Sequence, residues 1–299
     1  MKRFPDGARV AFIGDSITAM NFTLKRIIDF YKKNYPSSGI RFFNCGIAGG
    51  TAESALRYFD KDIMRHAPTH AVLATGVNDS ERWHLALERG EERYALLERA
   101  FESYKKNLTA LVDKLLSLGI SLTLCTPLPY DEHTVTEQKA FVGGYALLLG
   151  YADFVRTLAR ERGLELCDTF SYFARRIETD SCYSADHIHP NEHGFYHLAR
   201  CILLHQGLEI GEEKPTPEYL NEWGDRISRL RTVFAAEYMI IKDQTLDDEG
   251  KIAFMRDKIE RCDWGQAVFE RFIRAYVADK PNEAQLYKEI DELYERDIL

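Results

Sequence analysis

Five short runs of aliphatic and aromatic residues, ARVAFIG, IRFFNCG, HAVLATG, SLTLCTP and GLELCD, recur along the chain with helix-patterned stretches between them. Strands that alternate with helices must be joined by crossovers, so they predict a parallel sheet covered on both faces, a doubly wound α/β domain. LKRIIDFYKKNY and ESALRYFDKDIMRH are of crossover length. The third crossover carries the clearest helix pattern. Tyr94, Leu97, Phe101, Tyr104, Leu108, Leu111, Leu115 and Leu118 repeat at spacings of three and four, an apolar stripe for packing on the sheet. Gly119 follows as its C-terminal stop. A last helix, NEHGFYHLARCILLH, starts from Asn191 as a cap and completes the domain near residue 207.

At 299 residues the chain is too long for one such domain alone. Pro215 and Pro217 mark a linker, and the rest, residues 211–299, is charged, amphipathic and helical in pattern. The division predicted is therefore a main α/β domain over residues 1–210 and an all-helical C-terminal extension over residues 211–299. Trp223, Phe234, Trp264, Phe269 and Phe272 give the extension an apolar face, for packing on the main domain or on a second copy as a homodimer.

A net charge of -8 offers no basic footprint to nucleic acid or anionic lipid. No apolar run approaches the ~18 residues of a spanning helix. The amino terminus, MKRFPDGARVAFIG, runs through Pro5, Asp6 and Gly7 into a short strand and does not read as a signal peptide. Six cysteines without C-x-x-C spacing fit buried, reduced thiols, and a cytoplasmic location is expected. A small neutral or modestly polar molecule is the partner expected, with neither nucleic acid nor membrane.

Four segments carry chemistry. FIGDSIT places Ser16 just past the first strand, at the carboxyl edge where such sheets bind ligands and where a helix start favours developing negative charge. Taken alone, Asp15-Ser16 is also ordinary turn and capping chemistry. NCGIAGGT follows the second strand and lets backbone N–H groups, that of Gly49 among them, approach a ligand closely. It lacks both glycine-rich nucleotide fingerprints. TGVND follows the third strand, where the Asn78 amide is suited to an oxyanion; Asp79 reads as a structural hydrogen-bonding partner. In DHIHP, Asp186 and His189 stand three apart before Pro190, so the carboxylate can meet Nδ1–H while Nε2 faces the serine. His187, His193 and His197 raise the question of a metal. His189 and His193 would share a face only if both were helical, and Pro190 puts His189 at or before the helix start; His193 and His197 read as helix surface or packing residues, and no metal is expected. Trp83, Tyr130 and Asp131, in loops at the same edge, are candidates for substrate contact together with Asp15.

A hydroxyl, an Asp-His couple and three oxyanion donors at one sheet edge predict a serine hydrolase working through an acyl-enzyme. The four blocks resemble the SGNH, or GDSL-type, esterase and lipase superfamily over residues 8–207. That resemblance implies a flavodoxin-like three-layer α/β/α fold, an exposed site, no cofactor, the catalytic set Ser16, Asp186 and His189, and an oxyanion hole of Ser16, Gly49 and Asn78. Ile17 replaces the commoner Leu of the pattern. His187 stands where the family often has Gly, which makes it a further candidate for substrate contact. The absence of a long apolar lid favours short acyl groups, acetyl in particular, on a polar alcohol such as a sugar. A lysophospholipase or thioesterase of the same superfamily, and a non-catalytic protein acting through the helical tail, are the alternatives.

Overall fold

Each of the five apolar runs forms a strand: β1 Arg9–Gly14, β2 Arg41–Gly46, β3 His70–Ala74, β4 Ser121–Cys125 and β5 Glu165–Cys167. All pairings are parallel, and the order across the sheet is β2-β1-β3-β4-β5. The central strands β1, β3 and β4 are buried over most of their length, which is why they read as largely apolar runs rather than alternating ones. The computed structural model describes residues 3–86, 90–177 and 179–209. The predicted helical extension, residues 211–299, lies outside the described residues, and with it the homodimer face.

Seven α-helices accompany the sheet among the described residues: α1 Ser16–Ala19, α2 Phe22–Asn34, α3 Ala52–Arg57, α4 Glu91–Ser117, α5 Gly144–Arg162, α6 Thr169–Ala174 and α7 Glu192–His205. On one face, Ala11, Ile13, Phe43, Cys45, Leu73 and Leu124 join side chains of α3, α4 and α5 in one apolar core. On the other, Phe12 and Val72 line one cavity with Leu24 of α2 and Leu198 and Ile202 of α7. The Tyr31 hydroxyl of α2 donates to Gln206 Oε1 at the end of α7 (2.6 Å), which ties these two helices together. The result is a three-layer α/β/α domain.

Helix α4 buries Tyr104, Leu108, Leu111 and Leu115, the middle of its predicted stripe, whereas Tyr94 and Leu118 at the ends are exposed. Gly119 adopts φ +74, its N–H bonds to Leu116 O and that of Ile120 to Leu115 O. This is the doubly bonded glycine stop in which a left-handed residue satisfies the last carbonyls. The second crossover departs from the single helix expected. A capping box at Thr51 and Ser54 starts α3, but the chain then widens into a π turn over Phe59–Ile63 and tightens into a 3-10 turn over Met64–His66. Phe59 and Ile63 both enter the core across that wide turn. The described cysteines, Cys45, Cys125, Cys167, Cys182 and Cys201, are buried free thiols; Cys262 lies outside the described residues. No described helix is long and apolar enough to cross a membrane.

Candidate active site

Strands β2, β1 and β3 are neighbours, and the loops leaving their carboxyl ends carry Gly49, Ser16 and Asn78. After β1 the chain turns to one side for β2 and to the other for β3. Ser16 and Asn78 therefore flank the switch point where such sheets open a crevice. The loops are drawn together by main-chain contacts. Ile47 N–H donates to Gly14 O (2.9 Å), and a Cβ on Gly46 would lie 2.5 Å from Ala19 N, so only glycine lets β2 pass α1. Buried Asn44 secures the same junction, donating to Thr18 O (3.0 Å) and Asn21 Oδ1 (2.9 Å) and accepting from Gly46 N–H (3.0 Å). Asn44 is a supporting residue: it opens the segment NCGIAGGT, yet the sequence reading gives it no role there.

Ser16 is the first residue of α1, and Asp15 caps it by accepting from Ile17 N–H at 2.9 Å. With four residues, α1 has too few aligned peptides for an appreciable macrodipole, so negative charge here must be met by individual N–H groups. Ser16 Oγ stands 2.7 Å from His189 Nε2, across 173 residues of sequence. His189 Nδ1 bonds to an Asp186 carboxylate oxygen, which leaves Nε2 with the lone pair facing the hydroxyl. The other Asp186 oxygen accepts the backbone N–H groups of His189 (3.0 Å) and Ile188 (3.2 Å). Burial would raise this carboxyl, but the imidazole and the two amides outweigh it and hold Asp186 at about 2.

The segment bearing the couple is a closed loop. Tyr183 pairs with Pro190, Ser184 N–H donates to His189 O (2.8 Å), and Asn191 caps α7 through Gly194 N–H (3.0 Å) while its amide reaches Ser181 O (2.9 Å) and Tyr183 O (3.1 Å). A short-range framework therefore sets the ring direction of His189 before any ligand arrives.

Across the crevice, Gly49 is exposed in the left-handed region at φ +70. One N–H of the Asn78 amide donates to Gly50 O at 3.1 Å. The second amide hydrogen remains for a ligand. Asp79 binds two loops at once, accepting from Ala52 N–H (2.9 Å) and Gly76 N–H (3.0 Å), the structural role read from the sequence. Its burial nonetheless pushes the carboxyl up to about 7.

A family model described as GDSL-like lipase/acylhydrolase matches residues 12–195, well over half the chain, and spans all four segments. The chain belongs to the GDSL-like lipase/acylhydrolase family. Among curated relatives, the acetylxylan esterase of Geobacillus stearothermophilus is 24% identical over 220 residues, covering 68% of this chain and 95% of that enzyme. Among solved structures, a variant of Axe2, an acetyl xylan esterase from the same organism, superposes with a TM-score of 0.58 at 25% identity, covering 70% of this chain and 99% of that one. A gut microbial diltiazem-metabolizing enzyme gives 0.61 at 25% identity over 69% of this chain, which spans 48% of that longer enzyme. This GDSL-type protein is an ester hydrolase, with the serine, imidazole and carboxylate of its family brought into contact.

Four of the five side chains expected at the substrate lie beneath the surface of this GDSL domain instead. Asp15 is 3% exposed and caps α1. Tyr130 is buried, its hydroxyl accepting from Phe141 N–H at 3.1 Å. Asp131 is buried and accepts from His133 N–H (2.9 Å) and Thr134 N–H (3.0 Å). His187, 2% exposed, holds the same loop through Nε2 to Gln138 O at 2.7 Å. Its φ of +67 lies in the left-handed region, which accounts for the glycine often found there in the family. An irregular loop must satisfy its amides, and these polar side chains do so. Trp83 alone of the five is exposed, at 48%, in the 3-10 turn Arg82–Ala86. Arg82, unnoticed in the sequence, is half-buried, donates to Val77 O (2.9 Å), and acts electrostatically on Asp15 and Asp186.

Burial pushes the Asp15 carboxyl from 3.8 up to about 6, against the Ile17 amide and the charges of His189 and Arg82, which lower it. The folded state thus binds the extra proton between those values, and stability from this group is lost as pH rises through them. Asp15→Asn keeps an oxygen for Ile17 N–H and removes the titration. Relative to wild type it should gain on the order of 2 kcal/mol between pH 4 and pH 8. Urea denaturation at both pH values checks this; a difference that does not change with pH contradicts it.

Proposed function

We propose that this protein is a serine esterase that removes short acyl groups, acetyl above all, from a carbohydrate alcohol through an acyl-enzyme. The 2.7 Å contact between Ser16 Oγ and His189 Nε2 carries the reading of the chemistry. His189 takes the hydroxyl proton as Ser16 attacks the ester carbonyl, and Asp186 stabilises the imidazolium. Above pH 6 the ionised Asp15 adds negative potential behind the ring. The oxyanion is received by the N–H groups of Ser16 and Gly49 and by the free amide hydrogen of Asn78. His189 then protonates the departing alcohol, and water enters by the same route to release the acid.

Ser16, Asn78, Asp186 and His189 are all partly exposed and Gly49 is exposed, which leaves the reacting groups open to an ester on a bulky polar alcohol. The acetylxylan esterase likeness, over nearly all of that enzyme's length, supports the same substrate class. Asn78→Ala should lower kcat by about 10^2 to 10^3-fold with KM little changed, because the donor acts on charge present only in the transition state. Loss in KM alone would contradict that role. A series of nitrophenyl esters, run beside acetylated xylooligosaccharides, tests the substrate: kcat/KM should be highest for acetyl and fall as the acyl chain grows. Preference for eight or more carbons would overturn the acetyl assignment.

A further inference from the structure

Next to the segment that carries Asp186 and His189, four side chains from two elements turn their ligating atoms inward. Asp180, Cys182, His193 and His197 each offer one such atom, and all four atoms lie within 4.8 Å of one another. Cys182 and His197 are buried, Asp180 and His193 partly so. His193 and His197 are one turn apart on α7 and share a face. Their Nε2 atoms stand 3.1 Å apart. Two imidazole nitrogens on one tetrahedral zinc ion, at bonds of ~2.0–2.1 Å, stand about 3.3 Å apart. Nitrogens meeting head to head need something positive between them, either one proton or a cation.

A second observation orients the pair. Tyr172 OH lies 3.2 Å from His197 Nδ1. With Nδ1–H donated to that oxygen, Nε2 of His197 presents its lone pair to the cluster, the outer partner that metal-bound histidines usually have. Cys182 is held firmly in place as well: its carbonyl accepts from Asn191 N–H (3.0 Å), and Gly194 packs directly on it. Asp180 is shared with Arg176, whose Nε lies 3.8 Å from Oδ2, so one carboxylate oxygen can stay with the guanidinium while the other turns inward.

We propose that Asp180, Cys182, His193 and His197 form a binding site for one divalent cation of the zinc class. One sulfur, two nitrogens and one oxygen suit a borderline cation in tetrahedral coordination rather than magnesium or calcium, which prefer oxygen alone. On binding, the Cys182 thiol gives its proton to solvent and the thiolate bonds to the cation; the proton between the two Nε2 atoms passes through solvent to His193 Nδ1, so the neutral imidazoles, like the ionised carboxylate, bind without net proton change. The ion fastens the start of the 182–191 loop to the first turns of α7, so it acts as a positioning element for Asp186 and His189 and takes no part in ester cleavage. The sequence reading set a metal aside on the pair His189 and His193; the pair on one helical face is His193 and His197.

Titration of the chelator-treated, reduced full-length protein with Co2+ tests the site. One equivalent should develop the visible bands of tetrahedral cobalt and a thiolate-to-cobalt absorption in the near ultraviolet, and Zn2+ should displace both. Cys182→Ser should abolish the thiolate band. His193→Gln, at a partly exposed position where folding is undisturbed, should weaken binding by about tenfold or more and remove the rise in Tm that Zn2+ gives the wild type. Absence of saturation near one equivalent would overturn the proposal, as would a thiolate band that survives Cys182→Ser, which would place the metal at another cysteine.

Discussion

Ser16→Ala should lower kcat on an acetyl ester by about 10^4-fold or more while leaving the unfolding transition close to that of wild type. The hydroxyl is the only group removed. Ser16 opens α1, where alanine is an equally good helix residue, and the cap that starts the turn belongs to Asp15. What is lost is the nucleophile that His189 addresses at 2.7 Å. The oxyanion donors and the binding surface remain, so a trace of activity over the uncatalysed reaction should persist. Turnover of a nitrophenyl acetate, measured with the thermal transition of the same preparation, separates chemistry from folding. A variant that retains activity within tenfold of wild type would remove Ser16 from the mechanism.

Gly194→Ala should produce the largest loss of stability by a single methyl group. A Cβ at this position would sit 2.0 Å from the carbonyl oxygen of Cys182 and 2.8 Å from Pro190 Cβ. The first of these is backbone, and it is already fixed by Asn191 N–H, so no rotamer change relieves the clash. Either α7 moves away from the sheet or the 182–191 loop is displaced. The expected cost is about 3 kcal/mol or more, at the upper end of overpacking effects. Because that loop holds Asp186 and His189, kcat should fall together with stability, although Gly194 touches no reacting atom. Urea denaturation and kcat on the same ester read both effects; a variant of unchanged stability would mean that the loop and helix are not packed as described.

Much of this arrangement could be read from the residues. The five strands announce themselves because β1 to β4 are buried over most of their length and carry mostly apolar residues. The positions of Ser16, Gly49 and Asn78 follow from the same logic, since each comes directly after a strand and parallel strands deliver their carboxyl ends to one edge. Asp186 and His189 were readable because a spacing of three before a proline permits the contact now seen. Other features depend on tertiary partners that local sequence does not name. The break of the second crossover at Phe59 has no glycine or proline to announce it. Tyr130, Asp131 and His187 look like polar loop residues available to substrate, yet they face inward because the amides and carbonyls of residues 133–141 need partners. Arg82 belongs to no motif, and Asn44 opens one without a role legible from it; only the fold brings them beside Asp15 and α1.

The nucleophile itself can be observed directly. Wild-type protein treated with a fluorophosphonate and digested should show one phosphonylated peptide, with the adduct on Ser16, formed in step with loss of esterase activity and suppressed in His189→Ala. Complete inactivation with the adduct on another residue, or continued hydrolysis by protein fully labelled at Ser16, would contradict a mechanism built on the contact between Ser16 and His189.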